Sequence, residues 1–328
     1  MKLNRQFGNT DLQTSPVVYG CMGGAGAFGP QEEKDSIEAL LGAYEAGVNF
    51  FDTAEMYGKG YSEQLLGKAF GEKRKDIIIS SKVSPKNLSP EGIQTACERS
   101  LKNLGSDYLD LYLIHWPNRD IPLADSIGAL KKLKEQGKIR YYGVSNFGKE
   151  DLTDALELGD ISANQVPYHL FFRSIEFDVQ LLCEKKKVPI MCYSSLMQGL
   201  LAGKYRSLAD FPASRARTRM FDSRRWEQCA HKEHGAEEAG QKALDDIWKI
   251  TSATGLRMEE LAVGWLKAQK AVGGVIVGTR NAEQSKGLRN LLDIKLSPDV
   301  LAALTEATDE LKKQLGADVD MWGKNRIR

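Results

Sequence analysis

The sequence carries no excess of charge of either sign: 45 Lys plus Arg face 44 Asp plus Glu, a net of +1 over 328 residues. A chain that holds nucleic acid or an anionic bilayer by bulk charge needs a one-sided balance, so neither partner is expected. Cysteine is scarce. The five present (Cys21, Cys97, Cys183, Cys192 and Cys229) are odd in number and form no C-x-x-C. The nearest His residues to any of them, His231 and His234 beside Cys229, lie in a polar, Arg-rich stretch and not at zinc-ligand spacing. Reduced thiols and no metal site are therefore expected. A chain of about 300 residues buries roughly 75% of its extended surface, so it needs no disulfide staples. Long hydrophobic runs are also missing. The N-terminal M-K-L-N-R-Q-F-G-N-T has no apolar signal core, and the uncharged residues 12–31 are broken by Pro16, Pro30 and five glycines. These absences leave a soluble, cytoplasmic, globular protein with no membrane segment.

What is present is a rhythm. Short apolar runs recur at Val17–Gly20, Val48–Asp52, Ile77–Lys82, Leu109–His115, Tyr141–Ser145, Ala163–Val166, Val188–Tyr193 and Val275–Val277. Most do not alternate with polar residues, as suits parallel strands buried on both faces. Helical patterns lie between them, at Ser36–Ala46, Pro90–Asn103, Leu123–Glu135, Glu176–Lys186 and Met258–Lys270. Ser89-Pro90-Glu91 opens one of these as cap plus first-turn proline. Eight βα units without a composition break predict an α/β fold, a (β/α)8 TIM barrel, in one domain spanning residues 1–328. Phe7-Gly8-Asn9-Thr10 predicts an N-terminal β-hairpin, and Ser297–Leu315 an extra C-terminal helix. Residues 204–238, after the seventh strand, follow neither period. This stretch is basic, with Lys204, Arg206, Arg215, Arg217, Arg219, Arg224 and Arg225. It reads either as a solvated surface loop or as a lid over an anionic ligand.

Gly24-Ala25-Gly26-Ala27-Phe28-Gly29 satisfies G-x-G-x-x-G, with Asp52 as an acid 23 residues after Gly29. A Rossmann-type dehydrogenase is one reading of it. Further glycines flank the run, Pro30 and Gln31 intervene before the helix, and the strand–helix rhythm continues to eight units. A Gly-rich loop that lets backbone approach a ligand is the better reading.

Four polar residues stand at or just past successive strand ends: Asp52, then Tyr57 in its loop, Lys82, and His115. Strand ends of a barrel share one rim, so the four can converge. Lys82 closes an apolar run and needs a counter-charge, which Asp52 on the adjacent strand can provide. They sit in D-T-A-E-M-Y-G-K-G-Y-S-E, S-S-K-V and L-I-H-W-P. On these motifs the chain resembles the aldo-keto reductases, from about Val17 to about Leu291. The resemblance implies a catalytic tetrad at Asp52, Tyr57, Lys82 and His115. It also implies an NAD(P)H-dependent oxidoreductase that reduces aldehyde, ketone or sugar carbonyls to alcohols. Tyr57 would be the general acid. A free phenol titrates near ~10, so a cation beside it, Lys82, would lower that value. Asp52 would hold Lys82, and His115 would orient the carbonyl or assist proton transfer.

Ser145 and Asn146 end the fifth strand, Gln165 the sixth and Tyr193 the seventh. In the family, residues matching Ser145, Asn146 and Gln165 bind the nicotinamide carboxamide, and Tyr193 matches the aromatic that stacks on the ring. Ser194, Leu196 and Gly199 match the phosphate-contacting loop. Gly278, Thr279, Arg280 and Gln284 match the segment that holds the adenosine end. Arg280 would pair with a 2′-phosphate, so NADPH is preferred to NADH. The family's adenine-binding Asn falls where this chain has Leu288, with Asn290 two places late. Arg217 matches a pyrophosphate-binding Arg only weakly. The substrate pocket would be lined by Met22, Phe28, Met56, Trp116 and Trp226. Trp322 either reaches over the rim or packs on the last helix, and Arg119 either favours an acidic substrate or faces solvent. A cofactor-binding regulatory module on the same barrel remains a rival reading. The substrate's identity, the physiological direction and the oligomeric state are not legible, with a monomer the default.

Overall fold

The computed structural model describes residues 4–27, 29–224, 229–323 and 327–328. A hairpin of β1 (Arg5–Gln6) and β2 (Gln13–Thr14) comes first, with Arg5 opposite Thr14. Its turn needs Gly8: the residue has φ +55°, and a Cβ there would come within 2.7 Å of Pro189. Eight strands follow: β3 (Val17–Gly20), β4 (Phe50–Asp52), β5 (Ile78–Val83), β6 (Leu109–Ile114), β7 (Ile139–Ser145), β8 (Asn164–Pro167), β9 (Ile190–Tyr193) and β10 (Val272–Val277). Each pairs in parallel with its sequence neighbour, and β10 pairs with both β9 and β3, so the sheet closes into a barrel. An open dinucleotide-binding sheet is thereby excluded. The Gly-rich run instead forms a 3-10 turn at Gly23–Ala25, with Gly26 left-handed, and the helix Glu33–Glu45 starts only beyond it.

The runs lack polar alternation because both faces of each strand are buried. Val18, Phe50, Ile78, Leu111, Leu113, Ala163 and Met191 form one cluster inside the barrel. Their neighbours Val17, Tyr19, Phe51, Ile79 and Tyr112 belong to a second cluster, shared with the surrounding helices. The hairpin delivers Phe7 and Leu12 to the inner cluster, and Phe7 meets Phe50 edge-on at 5.6 Å. Arg5 donates to the carbonyls of Val272 and Gly273, so the hairpin plugs the mouth where the strands begin.

Two elements differ from expectation. The C-terminal helix is two, Pro298–Ala307 and Asp309–Leu315, broken at Thr308. The buried Arg173 guanidinium claims the Thr305 carbonyl, the Thr308 hydroxyl and the Asp309 carboxylate, which diverts helix acceptors. The basic stretch, which ends at the helix Glu237–Thr254, has its own small core. Phe211 and Phe221 stack at 5.6 Å, with Leu208, Ala216 and Met220 buried beside them. Much of its positive charge is used internally. Arg219 pairs with Glu233 and Asp318, Arg224 with Asp222, and Arg206 lies 3.6 Å over the Trp248 ring. Among the described residues no helix is long and apolar enough to cross a membrane.

Candidate active site

Strand parity decides which side chains enter the barrel. Counting by twos from the inner cluster reaches Asp52, Ser80, Lys82, Ser145, Gln165 and Tyr193, and His115 one residue past β6. All lie toward the ends where the strands exit, on the rim opposite the hairpin. Tyr57 comes from the loop after β4. There Gly58, Lys59 and Gly60 all have positive φ, at 58°, 56° and 91°. At Gly60 a Cβ would strike Asn103 at 2.5 Å, so this turn requires glycine.

The signature around Tyr57 is also a scaffold. Thr53 donates to Ser62 at 2.8 Å, and Ser62 to the Cys21 carbonyl at 3.2 Å. Glu63, fully buried, accepts from Ser81 at 2.6 Å and Asn103 at 2.9 Å. Glu55 accepts from the Ser84 amide and Asn87 and pairs with Arg99. Glu55, Ser62 and Glu63 received no role from sequence reasoning, although the motif contains them. Their signal was a short run unusually dense in residues that bond to strands next door.

At the centre, Lys82 donates to Asp52 Oδ2 and to the Thr53 carbonyl, both at 2.7 Å, and lies 3.4 Å from the Tyr57 hydroxyl. Asp52 Oδ1 accepts from Ser80 at 2.7 Å and Gln165 Nε2 at 2.8 Å. Burial pulls the Lys82 ammonium down, but Asp52 and Tyr57 more than offset this, and it titrates above its usual value. Burial pushes the Tyr57 phenol up; Lys82 opposes that, Asp52 adds to it, and the net is a raised value. Lys82 lowers the phenol as expected, but desolvation outweighs the cation, so the net direction is upward and not downward. His115 is pushed down to about 3, by burial first and Lys82 second, so its imidazole is neutral at pH 7. Its ring stands edge-on to Tyr57 at 5.8 Å, and Nδ1 has no hydrogen-bond partner among the described residues.

The residues expected at the carboxamide subsite adjoin this centre. Asn146, at φ +60°, donates to the His115 carbonyl at 2.9 Å and to Ser145 Oγ at 3.1 Å. Ser145 donates to the Gln165 carbonyl. The Tyr193 hydroxyl donates to Asn146 Oδ1 at 2.8 Å and accepts from the Trp322 indole N–H at 3.1 Å. Trp322 therefore reaches over the rim. After β9, Ser194, Met197, Gln198 and Gly199 all have positive φ in a tight turn that includes Leu196. Arg215, not Arg217, leans on this turn, donating to the Gln198 carbonyl at 3.3 Å; Arg217 bonds within its own loop.

After β10, Gly278 is exposed, while the Thr279 hydroxyl is engaged by Tyr19 and Ser285. Thr279 thus offers a ligand only backbone. Arg280 is exposed, donates to the Pro30 carbonyl at 3.1 Å, and takes Gln284 Oε1 on its amide at 2.9 Å. Leu288 is a core residue, 1% exposed, and Asn290 faces solvent. Of the pocket candidates, Met22, Met56 and Trp116 sit on the same rim, with Met56 53% exposed. Phe28, Trp226 and Arg225 lie outside the described residues. Arg119 is paired with Asp151, which argues against a free cation for substrate. No group of three His, Cys, Asp or Glu side chains among the described residues is placed to hold a metal.

Residues 16–309 match the model of the aldo/keto reductase family. The chain belongs to that family. A similar protein is the aldo-keto reductase yakc [NADP(+)] of Schizosaccharomyces pombe, 32% identical over 93% of this chain and 91% of its own. The NADH-specific methylglyoxal reductase of Escherichia coli is 28% identical, over 94% of this chain and 98% of its own. A solved aldo-keto reductase of Klebsiella pneumoniae in complex with NADPH superposes with a TM-score of 0.75 at 29% identity, covering 94% of this chain and 95% of its own.

Proposed function

We propose that this aldo/keto reductase uses NADPH to reduce small aldehydes and ketones, with Tyr57 delivering the proton. The observation that carries the reading is the fully buried Lys82, held between Asp52 at 2.7 Å and the Tyr57 hydroxyl at 3.4 Å.

The residues present suit a phosphorylated dinucleotide. The positive-φ turn at Ser194–Gly199 presents a tight backbone cradle, where a Cβ on Gly199 would come 3.2 Å from the Arg215 guanidinium. A second guanidinium, Arg280, lies at the far end of the rim beside Gly29, at 4.0 Å from where its Cβ would be. Arg215 would meet the pyrophosphate, and Arg280 the 2′-phosphate, for which its fork of donors suits better than a ribose hydroxyl. Ser145, Asn146 and Gln165 would take the carboxamide, and Tyr193 the ring face. With Leu288 in the core, the adenine is held without the family's usual amide contact.

The nicotinamide, when bound, supplies the hydride. The carbonyl oxygen would accept from the Tyr57 hydroxyl and from neutral His115, which orients it. As negative charge grows on that oxygen, Tyr57 gives up its proton. A raised phenol suits this role, because it is fully protonated at neutral pH and so holds the proton the reaction needs. The resulting phenolate lies against the Lys82 ammonium, whose charge Asp52 secures. His115 would act as a hydrogen-bond donor through the one N–H of its neutral ring and not as an imidazolium acid, since with titration near 3 the second ring proton is absent at pH 7.

Met22, Met56, Trp116 and Trp322 would make an apolar approach to the oxygen site, suited to small carbonyl compounds. Methylglyoxal, the substrate in the name of the Escherichia coli relative, heads the panel to test, with aldoses next. NADPH consumption on that panel should be rapid for the wild type and fall about 10²–10⁴-fold in Tyr57→Phe. Near-normal turnover in that variant would refute the role of Tyr57.

A further inference from the structure

Of the three residues assigned to the carboxamide, only Gln165 also bonds into the Asp52–Lys82 pair. Its Nε2 donates to Asp52 Oδ1 at 2.8 Å, across the barrel from β8 to β4. Both residues are 3% exposed. The two carboxylate oxygens divide their work: Oδ1 takes Ser80 and Gln165, and Oδ2 takes Lys82. No described residue donates to Gln165 Oε1. The amide therefore has one end committed to Asp52 and an acceptor to offer a ligand. We propose that Gln165 is a positioning residue that transmits occupation of the carboxamide subsite to Tyr57, through Asp52 and Lys82. This rests on the cofactor assignment given above.

The physical link is polarisation along a chain of hydrogen bonds. An amide that accepts at its oxygen becomes a better donor at its nitrogen, and buried chains strengthen cooperatively. A carboxamide N–H donated to Gln165 Oε1 tightens the bond from Nε2 to Asp52 Oδ1. Charge on the carboxylate shifts toward Oδ1, and its hold on Lys82 through Oδ2 relaxes. Lys82 is then freer to turn its charge on the Tyr57 oxygen, at present a long 3.4 Å away. A filled subsite would thus ease ionisation of Tyr57 at the moment its proton is needed, and an empty one would leave the phenol raised. The groups that face Tyr57 are Lys82, Asp52, Cys21, His115 and Tyr193. Among them only Asp52 is bonded to the Gln165 side chain. Ser80 shares Oδ1 with Gln165 and so sets the baseline from which the shift is made.

The test compares two oxidised cofactors of equal charge, NADP+ and its 3-acetylpyridine analogue, which keeps the carbonyl but carries a methyl where the amide N–H₂ would be. Tyr57 ionisation is read by ultraviolet tyrosinate difference absorbance, with Tyr57→Phe subtracted, in each saturated complex. In the wild type the NADP+ complex should ionise at lower pH, by about 3–10-fold in the ionisation constant, a polarisation effect of ~1 kcal/mol. In Gln165→Met, which keeps the bulk beside Met191, the two complexes should titrate together. In Ser80→Ala both midpoints should rise while their difference persists. Equal midpoints in the wild type, or an undiminished difference in Gln165→Met, would overturn the coupling and leave the reductase reading intact. Failure of both cofactors to bind the wild type would overturn the reductase reading itself, and the coupling with it.

Discussion

The floor of the site and its cover are built on different principles. The floor is made of strand ends: Asp52, Ser80, Lys82 and Gln165 are all buried, and their bonds are 2.7–2.8 Å long. The proposed cover comes from the described parts of residues 204–236 and of the C-terminal segment, which reach the site through Arg215 and Trp322. It is held by ion pairs with one exposed partner, such as the buried Arg219 with the half-exposed Glu233 and Asp318, by the Arg219 amide on the Met321 carbonyl, and by one indole on Tyr193. Buried pairs in low dielectric have no substitute partner, whereas exposed pairs exchange readily with water. On the proposed function, chemistry would be fixed by the barrel, and access and affinity would be set by parts that can change at small cost.

Breaking the floor should have the largest effect. Lys82→Met strands the Asp52 carboxylate in the interior and is expected to cost about 3–5 kcal/mol of stability, together with nearly all turnover. Urea denaturation beside steady-state kinetics checks both, and a variant as stable as the wild type would collapse the distinction drawn here.

Acid should loosen floor and cover together. His115 in the floor and His169 beneath the cover, whose Nε2 lies 3.3 Å from the Met321 sulfur, are both lowered to about 3 by burial. The unfolded chain takes up protons at these positions near pH 6.5, and the folded chain does not until about 3. Stability is therefore complete above 6.5 and falls as pH drops through that window. At pH 5 each His should have cost about 2 kcal/mol. Denaturation midpoints at pH 7 and pH 5 should converge in a His115→Asn/His169→Asn double variant; an unchanged gap would mean other groups carry the acid sensitivity.

Arg280 tests the rim between the two regions. Arg280→Met should weaken NADPH about 10–100-fold, the loss of charge-assisted hydrogen bonds, while NADH binding moves less than twofold. Equal losses for both cofactors would remove the 2′-phosphate assignment. The smallest effect is expected in the cover. Trp322→Phe deletes one bond to Tyr193, of about 1 kcal/mol, and should raise substrate KM several-fold with kcat nearly unchanged. A large fall in kcat would show that the cover reaches into the chemistry after all.

The same division governs what could be read from sequence. Apolar runs without alternation located all eight barrel strands, and period-two counting from residues such as Phe50 and Leu113 puts Asp52 and His115 inside. These are local signals. The break at Thr308 is not, because it depends on Arg173, 135 residues away. Nor are the loop's pairings, since Arg219 reaches Asp318, 99 residues on. The sign of the Tyr57 shift escaped for another reason: residue types give the neighbouring charge, but the depth of burial that outweighs it emerges only from the assembled barrel.

Closure of the barrel also bears on how this protein would aggregate. A strand with a free edge offers bare N–H and C=O groups to other chains, and a closed sheet offers none. Each of the eight barrel strands has two partners, which leaves the short hairpin strands as the exposed edges among the described residues. Templated strand addition then has to wait for a seam to part. The seams with the shortest described registers, two paired positions each, are β3–β4 and β7–β8. Both lie at strand ends that carry the proposed site, Asp52 on one and Ser145 with Gln165 on the other. Anything that fills the site bridges the places where the barrel would otherwise come apart, so a saturating ligand should act on this protein as a guard against self-association.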